Sequence, residues 1–218
     1  MQHTLIIGAG AAGLAAGRVL HDSGHDILIL EARDRIGGRA WTDHTFADFP
    51  IELGAEFIHG EHAATHQLVK DAGFHTIPVV RMDHLWWAEN GHPAVNRNQL
   101  PAPIREIIDG LLRDYDALAN FALANDMSLA DYLRGRGWDD DALKTADVLL
   151  AQTCCATIET LSCADLIREA HADHAGSQEF RIEEGYAALF DHYSRDVPIQ
   201  LNKVVSAIYW DAEGVTVM

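Results

Sequence analysis

Three glycines near the start of the chain constrain its fold more than any other feature. The stretch LIIGAGAAGLAAG, residues 5–17, holds Gly8, Gly10 and Gly13 in the spacing G-x-G-x-x-G. An apolar run precedes the glycines and a run of small residues follows, which predicts a strand, a tight turn and a helix. Gly8 permits the turn, Gly10 leaves room for a pyrophosphate beside the backbone, and Gly13 lets the helix pack closely on the strand. In this context the motif is typical of a dinucleotide-binding loop.

An acidic residue at the end of the next predicted strand supports this interpretation. The helix that begins at Ala11 is predicted to end at Ser23-Gly24, and a strand is predicted over residues 26–30. Glu31 follows that strand, 18 residues after Gly13, where it can accept hydrogen bonds from ribose hydroxyls. An acid there disfavours a 2′-phosphate and therefore argues against NADP. These features do not separate NAD from FAD.

A second glycine segment favours FAD. The stretch EARDRIGGRAWT places Gly37, Gly38 and Arg39 shortly after the acid. Paired glycines let bare backbone pass close to a ligand, and the arginine can pair with a phosphate or a flavin edge. A small-residue stretch, IELGAEFIHG, follows at residues 51–60. An NAD-dependent dehydrogenase, the alternative, has no need of this second glycine loop.

The rest of the chain alternates between helical and extended patterns. Apolar residues recur at i, i+3, i+4 and i+7 from Ile104 to Leu118 and predict a long helix with Pro101 and Pro103 at its start. Asn90-Gly91 predicts a hairpin between two short strands. Further helices are predicted over residues 62–72, from Ser128, from Ser162 and over 185–195, and further strands near residues 45–46, 51–53, 199–201, 204–209 and 215–218.

Charge and composition exclude several classes of partner. The chain carries 33 acidic and 16 basic side chains, a formal net charge of −17, so we expect neither nucleic acid nor a membrane as partner. We expect no signal peptide and no membrane span. Three cysteines without a C-x-x-C pair indicate reduced thiols, and we expect a cytoplasmic protein.

Together, GAGAAGL, EARDRIGGR and ELGAEFIHG resemble the flavin-dependent amine oxidases, the group of monoamine, polyamine and L-amino-acid oxidases. The resemblance returns near the end of the chain, in RIEEGYAALF and IQLNKVVSAIYW. It implies an α/β fold: a Rossmann-like FAD-binding domain with a parallel sheet and an inserted, mainly helical substrate domain, truncated relative to the family. The implied boundaries are 1–75 for the first part of the FAD domain, 76–176 for the hairpin and helical substrate part, and 177–218 for an incomplete return to the FAD domain.

The resemblance also implies roles for particular residues. The first glycine loop would hold the pyrophosphate, Glu31 the ribose, and the second glycine segment the stretch between pyrophosphate and flavin. The histidine of the G-A-x-x-I-H-G stretch, His59, would face the substrate cavity. The implied FAD-binding residues are Gly8, Gly10, Ala11, Ala12, Gly13, Glu31, Ala32, Arg33, Gly38, Arg39, Leu53, Gly54, Ala55, Glu56 and Val205.

The implied reaction is oxidation of the C–N bond of a small amine, with FAD as electron acceptor, O2 reoxidising the flavin and water hydrolysing the imine. The family's second half, which supplies a lysine near the flavin and aromatic residues around the amine, has no counterpart here. We therefore expect a partial chain, completed by a C-terminal half or a second subunit. The alternative is a non-catalytic FAD-binding module or a fragment of a split oxidase.

Three other groups of residues favour structural roles. His62 and His66 have metal-compatible spacing but no third ligand, so we expect no metal. Trp86 and Trp87 could surround a cationic amine, although packing is the more common role of such a pair. Cys154 and Cys155 are predicted to be core thiols in an apolar helix.

Overall fold

The computed structural model describes residues 4–80, 85–88, 94–172 and 175–218. The chain divides into two compact units. The first unit combines Met1–Val79 with Ser177–Met218, and the second is Val80–Gly176. The second unit is therefore an insertion into the first along the chain.

The first unit begins with the predicted strand, turn and helix. Strand β1 (Thr4–Ile7) leads into helix α1 (Ala11–Asp22), and strand β2 (Ile27–Leu30) returns beside β1 in parallel register, with Ile6 opposite Ile29. Strand β10 (Ile199–Gln200) pairs in parallel with the other edge of β2. The spatial order is β1-β2-β10. This is a parallel sheet of βαβ origin, as the periodicity and the glycine spacing predict.

A second, antiparallel sheet lies in the same unit. Its order is β5-β9-β6, with Ile58 opposite Phe180 and Thr76 opposite Ile182. Two short antiparallel pairs, β3 with β4 and β11 with β12, complete the extended structure. The bounds are β3 (Thr42–Asp43), β4 (Ile51–Glu52), β5 (Ile58–His59), β6 (Thr76–Val79), β9 (Glu179–Ile182), β11 (Ile208–Trp210), β12 (Val215–Val217), α2 (Thr65–Asp71) and α7 (Tyr186–Ser194).

The second unit is mainly helical. Strands β7 (Trp86–Trp87) and β8 (Val95–Asn96) pair in antiparallel register, while the predicted Asn90-Gly91 turn lies outside the described residues. The helices that follow are α3 (Ala102–Leu118), α4 (Leu129–Gly135), α5 (Asp140–Ala146) and α6 (Cys163–Ala172), with a π-turn over Asp147–Ala151 and 3₁₀ turns over Arg97–Gln99 and Gln152–Cys154.

Serine side chains cap the starts of two of these helices. Ser128 Oγ accepts a hydrogen bond from the Asp131 amide at the start of α4, and Ser162 Oγ accepts one from the Asp165 amide at the start of α6. Both serines satisfy amides that the helix itself leaves unpaired. The two predicted helix starts are confirmed.

Each unit has its own apolar core. In the first unit, Leu14 and Ile29 join α1 to the parallel sheet, and a separate cluster around Ile58, Val69 and Ile182 lies under the antiparallel sheet. The core of the second unit is larger and joins all four of its helices. Its buried residues are Leu111, Leu118, Leu129, Ala130, Tyr132, Leu133, Leu143, Ala146, Leu150, Ala151, Ile158, Cys163 and Leu166.

Three local predictions are wrong. Residues 45–46 form no strand, because Asp43 Oδ1 accepts the amides of Thr45 and Phe46 and closes a turn there. Residues 204–207 lie outside the strand predicted over 204–209, which begins at Ile208. Cys154 and Cys155 are exposed thiols at the end of a 3₁₀ turn.

Candidate functional site

The first glycine turn disfavours side chains at both ends, through the backbone conformation at Gly8 and through a steric clash at Gly13. Gly8 has φ +99°, a conformation that L-residues with a side chain rarely adopt, and its amide donates to Leu30 O at 2.8 Å. A Cβ at Gly13 would lie 1.9 Å from Gly8 O. Strand β1 and helix α1 therefore meet at a separation that only glycine allows.

This close approach leaves the N-terminus of α1 open. Gly10 is its N-cap and provides no capping side chain, and the first turn of α1 contains no acidic residue. The first backbone hydrogen bond of the helix runs from Leu14 N to Gly10 O. Within the described chain, the amides of Ala11, Ala12 and Gly13 have no acceptor. The helix dipole and these three donors favour an anionic group at this point.

The second glycine segment lies against the first. Gly37 N donates to Ala9 O at 2.8 Å, and a Cβ at Gly38 would lie 3.1 Å from Gly10 Cα. Two guanidinium groups hold this segment, since Arg33 Nη1 and Arg35 Nη2 both donate to Gly38 O at 3.0 Å. The two glycine motifs, 24 or more residues apart in sequence, thus form one continuous backbone surface.

The Glu31 carboxylate is hydrogen-bonded to the first glycine turn. Its Oε2 accepts the Ala9 amide at 2.7 Å and its Oε1 accepts the Arg33 amide at 2.9 Å. Burial works to raise the pKa of Glu31, but the amides of Arg33 and Ala9 hold that pKa below its ordinary value. The carboxylate is therefore charged at neutral pH, and each oxygen keeps capacity to accept a further hydroxyl proton.

The third predicted segment runs alongside the second. Ala55 N donates to Arg39 O at 3.2 Å, and a Cβ at Gly54 would lie 2.0 Å from the same oxygen. Leu53 is half exposed beside them. The Arg39 guanidinium is exposed and forms no hydrogen bond or ion pair with any described residue, so it is available to a phosphate or another anion.

Backbone hydrogen bonds hold the segment just before Val205 against residues 31–33. Lys203 N donates to Glu31 O at 2.8 Å, and Asn202 N donates to Arg33 O at 2.9 Å. The segment after β10 therefore runs past residues 31–33, Ala32 included, and Val205 follows two residues later, half-buried.

Glu56 and His59 have their partners on strand β9. Arg181 Nη2 lies 3.3 Å from Glu56 Oε1, and Glu179 Oε1 lies 3.2 Å from His59 Nδ1. The sequence did not indicate Glu179 or Arg181, because these contacts span more than 100 residues of chain. The alternation of charged and apolar side chains along β9 was the sequence signal that could have indicated Glu179 and Arg181.

Other candidate groups have structural roles. His66 Nε2 lies 3.2 Å from Gly60 O, and its ring packs edge-on against Phe180.

Beside Gly37, a cavity of about 390 Å³ is lined in part by Trp41, Phe190 and Leu201. Among the described helices, none is both long and apolar enough to cross a bilayer.

The residues present fit a dinucleotide. The fit rests on two glycine segments in contact, open helix amides and a charged acid hydrogen-bonded to the first glycine turn.

Comparison with known proteins finds similarity to amine oxidases. The chain is 34% identical over 104 residues to the flavin-containing amine oxidase B of Sus scrofa, an alignment that covers 48% of this chain and 20% of that protein. It is 48% identical over 56 residues to polyamine oxidase 2 of Arabidopsis thaliana, covering 26% and 11%.

Solved structures show the same fold over the whole chain. A putrescine oxidase bound to putrescine matches with a TM-score of 0.71 and 22% identity, covering 100% of this chain and 54% of that one. The chain therefore spans about half the length of this neighbour.

The family described as flavin containing amine oxidoreductase matches residues 11–218. The predicted fold class, family and FAD cofactor are confirmed. The chain belongs to the flavin-containing amine oxidoreductase family.

Proposed function

We propose that this chain forms the flavin-binding part of an FAD-dependent amine oxidase. The contact between the two glycine segments is the observation that carries the proposal. Gly37 N bonds Ala9 O, and Gly38 lies against Gly10, so a single backbone surface extends from the start of α1 to Arg39. A surface of this length suits a dinucleotide with a second ring system better than a mononucleotide.

Each segment of this surface has an expected role. The open amides at Ala11, Ala12 and Gly13 would bind the pyrophosphate, and Glu31 would accept the ribose hydroxyls. The main chain near Val205 would contact the adenine. Arg39 and the backbone from Leu53 to Glu56 would follow the dinucleotide toward its flavin end.

When bound, FAD supplies the two-electron oxidation of the amine C–N bond. The protein's contribution is to hold the amine, exclude water and accept the proton of its ammonium form. We place the amine side of the site at Glu56 and His59. The helical part, 76–176 by the predicted boundaries, would be the substrate domain, and residues 1–75 and 177–218 the FAD domain.

The exposed face and open edge of the parallel sheet argue for a complementing segment. Among the described strands, β1 pairs only with β2, and its outer edge is open. Leu5 and Ile7 on β1 are 42% and 48% exposed, whereas strands of parallel sheets are normally covered on both faces. We propose that further polypeptide, in the same chain or in a second subunit, pairs with β1 and covers this face.

We also propose that the chain works in a reducing compartment, the cytoplasm. Cys154, Cys155 and Cys163 are all free thiols, and Cys154 and Cys155 are exposed. Exposed neighbouring thiols persist in the reduced form mainly where glutathione and thioredoxin keep them so.

The test is anaerobic reduction of the FAD-loaded chain. Putrescine and cyclohexylamine should each be added to the chain alone and to the chain mixed with a complementing C-terminal polypeptide. Loss of the visible flavin absorbance with either amine supports an oxidase. Flavin that binds but stays oxidised in both mixtures would contradict the oxidase and leave the FAD-binding module.

A further inference from the structure

On one face of the antiparallel sheet, strands β5 and β9 carry polar side chains that lie outside the apolar core. Phe180 and Ile182 of β9 point to the apolar cluster around Ile58. Because side chains alternate along a strand, Glu179 and Arg181 point to the other face. His59 on β5 is directly opposite Glu179 in the antiparallel register and therefore shares that face.

The histidine and the glutamate differ sharply in exposure. The Glu179 side chain is 18% exposed, and the His59 side chain is 67% exposed, with Glu179 Oε1 3.2 Å from His59 Nδ1. The carboxylate thus sits at the sheltered end of the imidazole and leaves the far edge of the ring open. The ring is also packed edge-on near Phe57, at 6.2 Å between centroids.

The backbone around His59 fixes this arrangement. Ile58 is buried, and Gly60 has φ +89° and donates its amide to Gln178 O at 2.7 Å. Glu61 Oε2 accepts the Gln178 amide at 3.1 Å. The start of β9 and the end of β5 are therefore joined on both sides of the pair.

We propose that Glu179 is a positioning residue that holds the Nδ1–H form of His59, so that His59 Nε2 accepts the proton of a bound alkylammonium. This inference rests on the proposed function. Glu179 Oε1 lies 3.2 Å from His59 Nδ1, and because a carboxylate oxygen can only accept, this contact favours the tautomer that carries its proton on Nδ1 and its lone pair on Nε2.

The proton transfer is balanced within the pair. The N–H bond of R–NH3⁺ breaks, its electron pair stays on the amine nitrogen, and a new N–H bond forms at Nε2. The positive charge moves to the imidazole, where the carboxylate of Glu179 stabilises it, as in other histidine–carboxylate pairs.

The charges around the pair favour a cationic substrate. Arg181 is engaged by Glu56 at 3.3 Å, so the two carboxylates outnumber the one guanidinium. On strand β6 the residue opposite Glu179 is Val79, which is apolar. Glu56, Glu179 and Arg181 together carry a net charge of −1, which attracts an ammonium and repels anions.

A second pair of the same type provides a matched control. His75 Nδ1 lies 3.0 Å from Glu184 Oε1 at the opposite end of β9. Glu184→Ala removes that pair without touching His59. Glu179→Ala and Glu184→Ala thus each remove one histidine–glutamate contact, the first at the start of β9 and the second just past its end.

The first measurement is the tautomeric state of both histidines by ¹⁵N NMR of the whole chain, with His59→Gln and His75→Gln for assignment. We expect His59 as Nδ1–H in the wild type and a shift toward Nε2–H in Glu179→Ala, with Glu184→Ala leaving His59 unchanged. Wild-type His59 with a protonated Nε2 at neutral pH would overturn the proposal.

The second measurement is titration of the same samples with cyclohexylamine. We expect a response at His59 Nε2 that is about 10–100-fold weaker in Glu179→Ala and unchanged in Glu184→Ala. An equal response in wild type and Glu179→Ala would overturn the proposal. Both readouts are made without flavin, so failure of amine-driven flavin reduction alone would count against the oxidase and not against this pair.

Discussion

The two units of the chain differ in how completely they bury their apolar side chains. Of the large hydrophobic residues that are exposed in the described chain, sixteen belong to the first unit and five to the second. The second unit, although smaller, has one continuous core through four helices, whereas the first has two small separate clusters.

This difference follows from the two architectures. A helical bundle covers its own apolar stripes, and the described helices of the second unit share one core in this way. A parallel sheet needs cover on two faces, and in the first unit α1 packs on one face while Leu5 and Ile7 remain exposed on the other. The described helices of the second unit thus share one core, whereas one face of the parallel sheet in the first unit is left exposed, and the complementing polypeptide proposed above would cover that face.

The largest expected effect tests the core of the helical unit. Leu133 is fully buried, and Leu133→Ala should lower the free energy of unfolding by about 2–5 kcal/mol, because it leaves a cavity. Val148 is 62% exposed, and Val148→Ala should change that energy by less than about 0.5 kcal/mol. Urea denaturation followed by circular dichroism measures both. Equal effects would contradict a closed helical core.

The next effect tests the first glycine turn. Gly13→Ala places a Cβ 1.9 Å from Gly8 O, so the turn must open. We expect about 1–3 kcal/mol of destabilisation and loss of FAD retention on gel filtration. Gly135→Ala is the matched control, since no atom lies within 4 Å of its added Cβ and alanine is the better helix former. Full FAD retention by Gly13→Ala would contradict the proposed site.

A similar loss of stability is expected when one acid in each unit is replaced by its amide. Glu31→Gln and Asp114→Asn each turn an amide NH2 toward an N–H donor: Ala9 or Arg33 for the first, Arg136 or Trp138 for the second. Each should cost about 1–3 kcal/mol of stability. Only Glu31→Gln should also weaken FAD binding, which flavin fluorescence measures. Equal losses of FAD affinity would contradict the separation of roles.

The same two variants predict a pH dependence. Burial works to raise the pKa of Asp114, but its hydrogen bonds from Arg136 and Trp138 lower it, and the pKa of Glu31 is likewise lowered. A carboxylate with a lowered pKa stabilises the fold above its ordinary pKa, and this stabilisation is lost as the pH falls through the lowered pKa. The stability gap between wild type and Glu31→Gln should therefore shrink below pH 4.5. A gap that widens in acid would show the opposite shift.

The smallest effect is expected on the open face of the parallel sheet. Leu5→Ser and Ile7→Thr replace exposed side chains and should each change the free energy of unfolding by less than about 0.5 kcal/mol. They should nevertheless reduce association with a complementing segment, measured by analytical ultracentrifugation of the mixture. Destabilisation as large as that of Leu133→Ala would indicate that this face is already covered.

Local patterns predicted the first βαβ unit and the long helix α3 well. The glycine spacing and the i, i+4 stripe each lie within a few turns of chain, so packing does not alter them. The strand predicted at residues 45–46 failed because the Asp43 side chain closes a turn with adjacent amides, a competition that β-propensity does not register.

The sequence patterns could not predict the pairing of strands that are distant along the chain. Strand β9 was not predicted, because its partners β5 and β6 lie about 100 residues earlier along the chain. The contacts of His59 with Glu179 and of Glu56 with Arg181 depend on that pairing. The sequence could propose His59 as a site residue, but only the register supplies its carboxylate partner.

The most direct test of the central claim is equilibrium titration of the chain with FAD and, separately, with FMN, followed by flavin fluorescence. The glycine turn and Glu31 would bind the pyrophosphate and the AMP half, whereas FMN has no AMP half and only one phosphate. We predict saturable binding of one FAD per chain, with FMN at least about tenfold weaker, a difference of about 1.4 kcal/mol. Equal affinity for the two flavins, or no binding of FAD, would contradict the account.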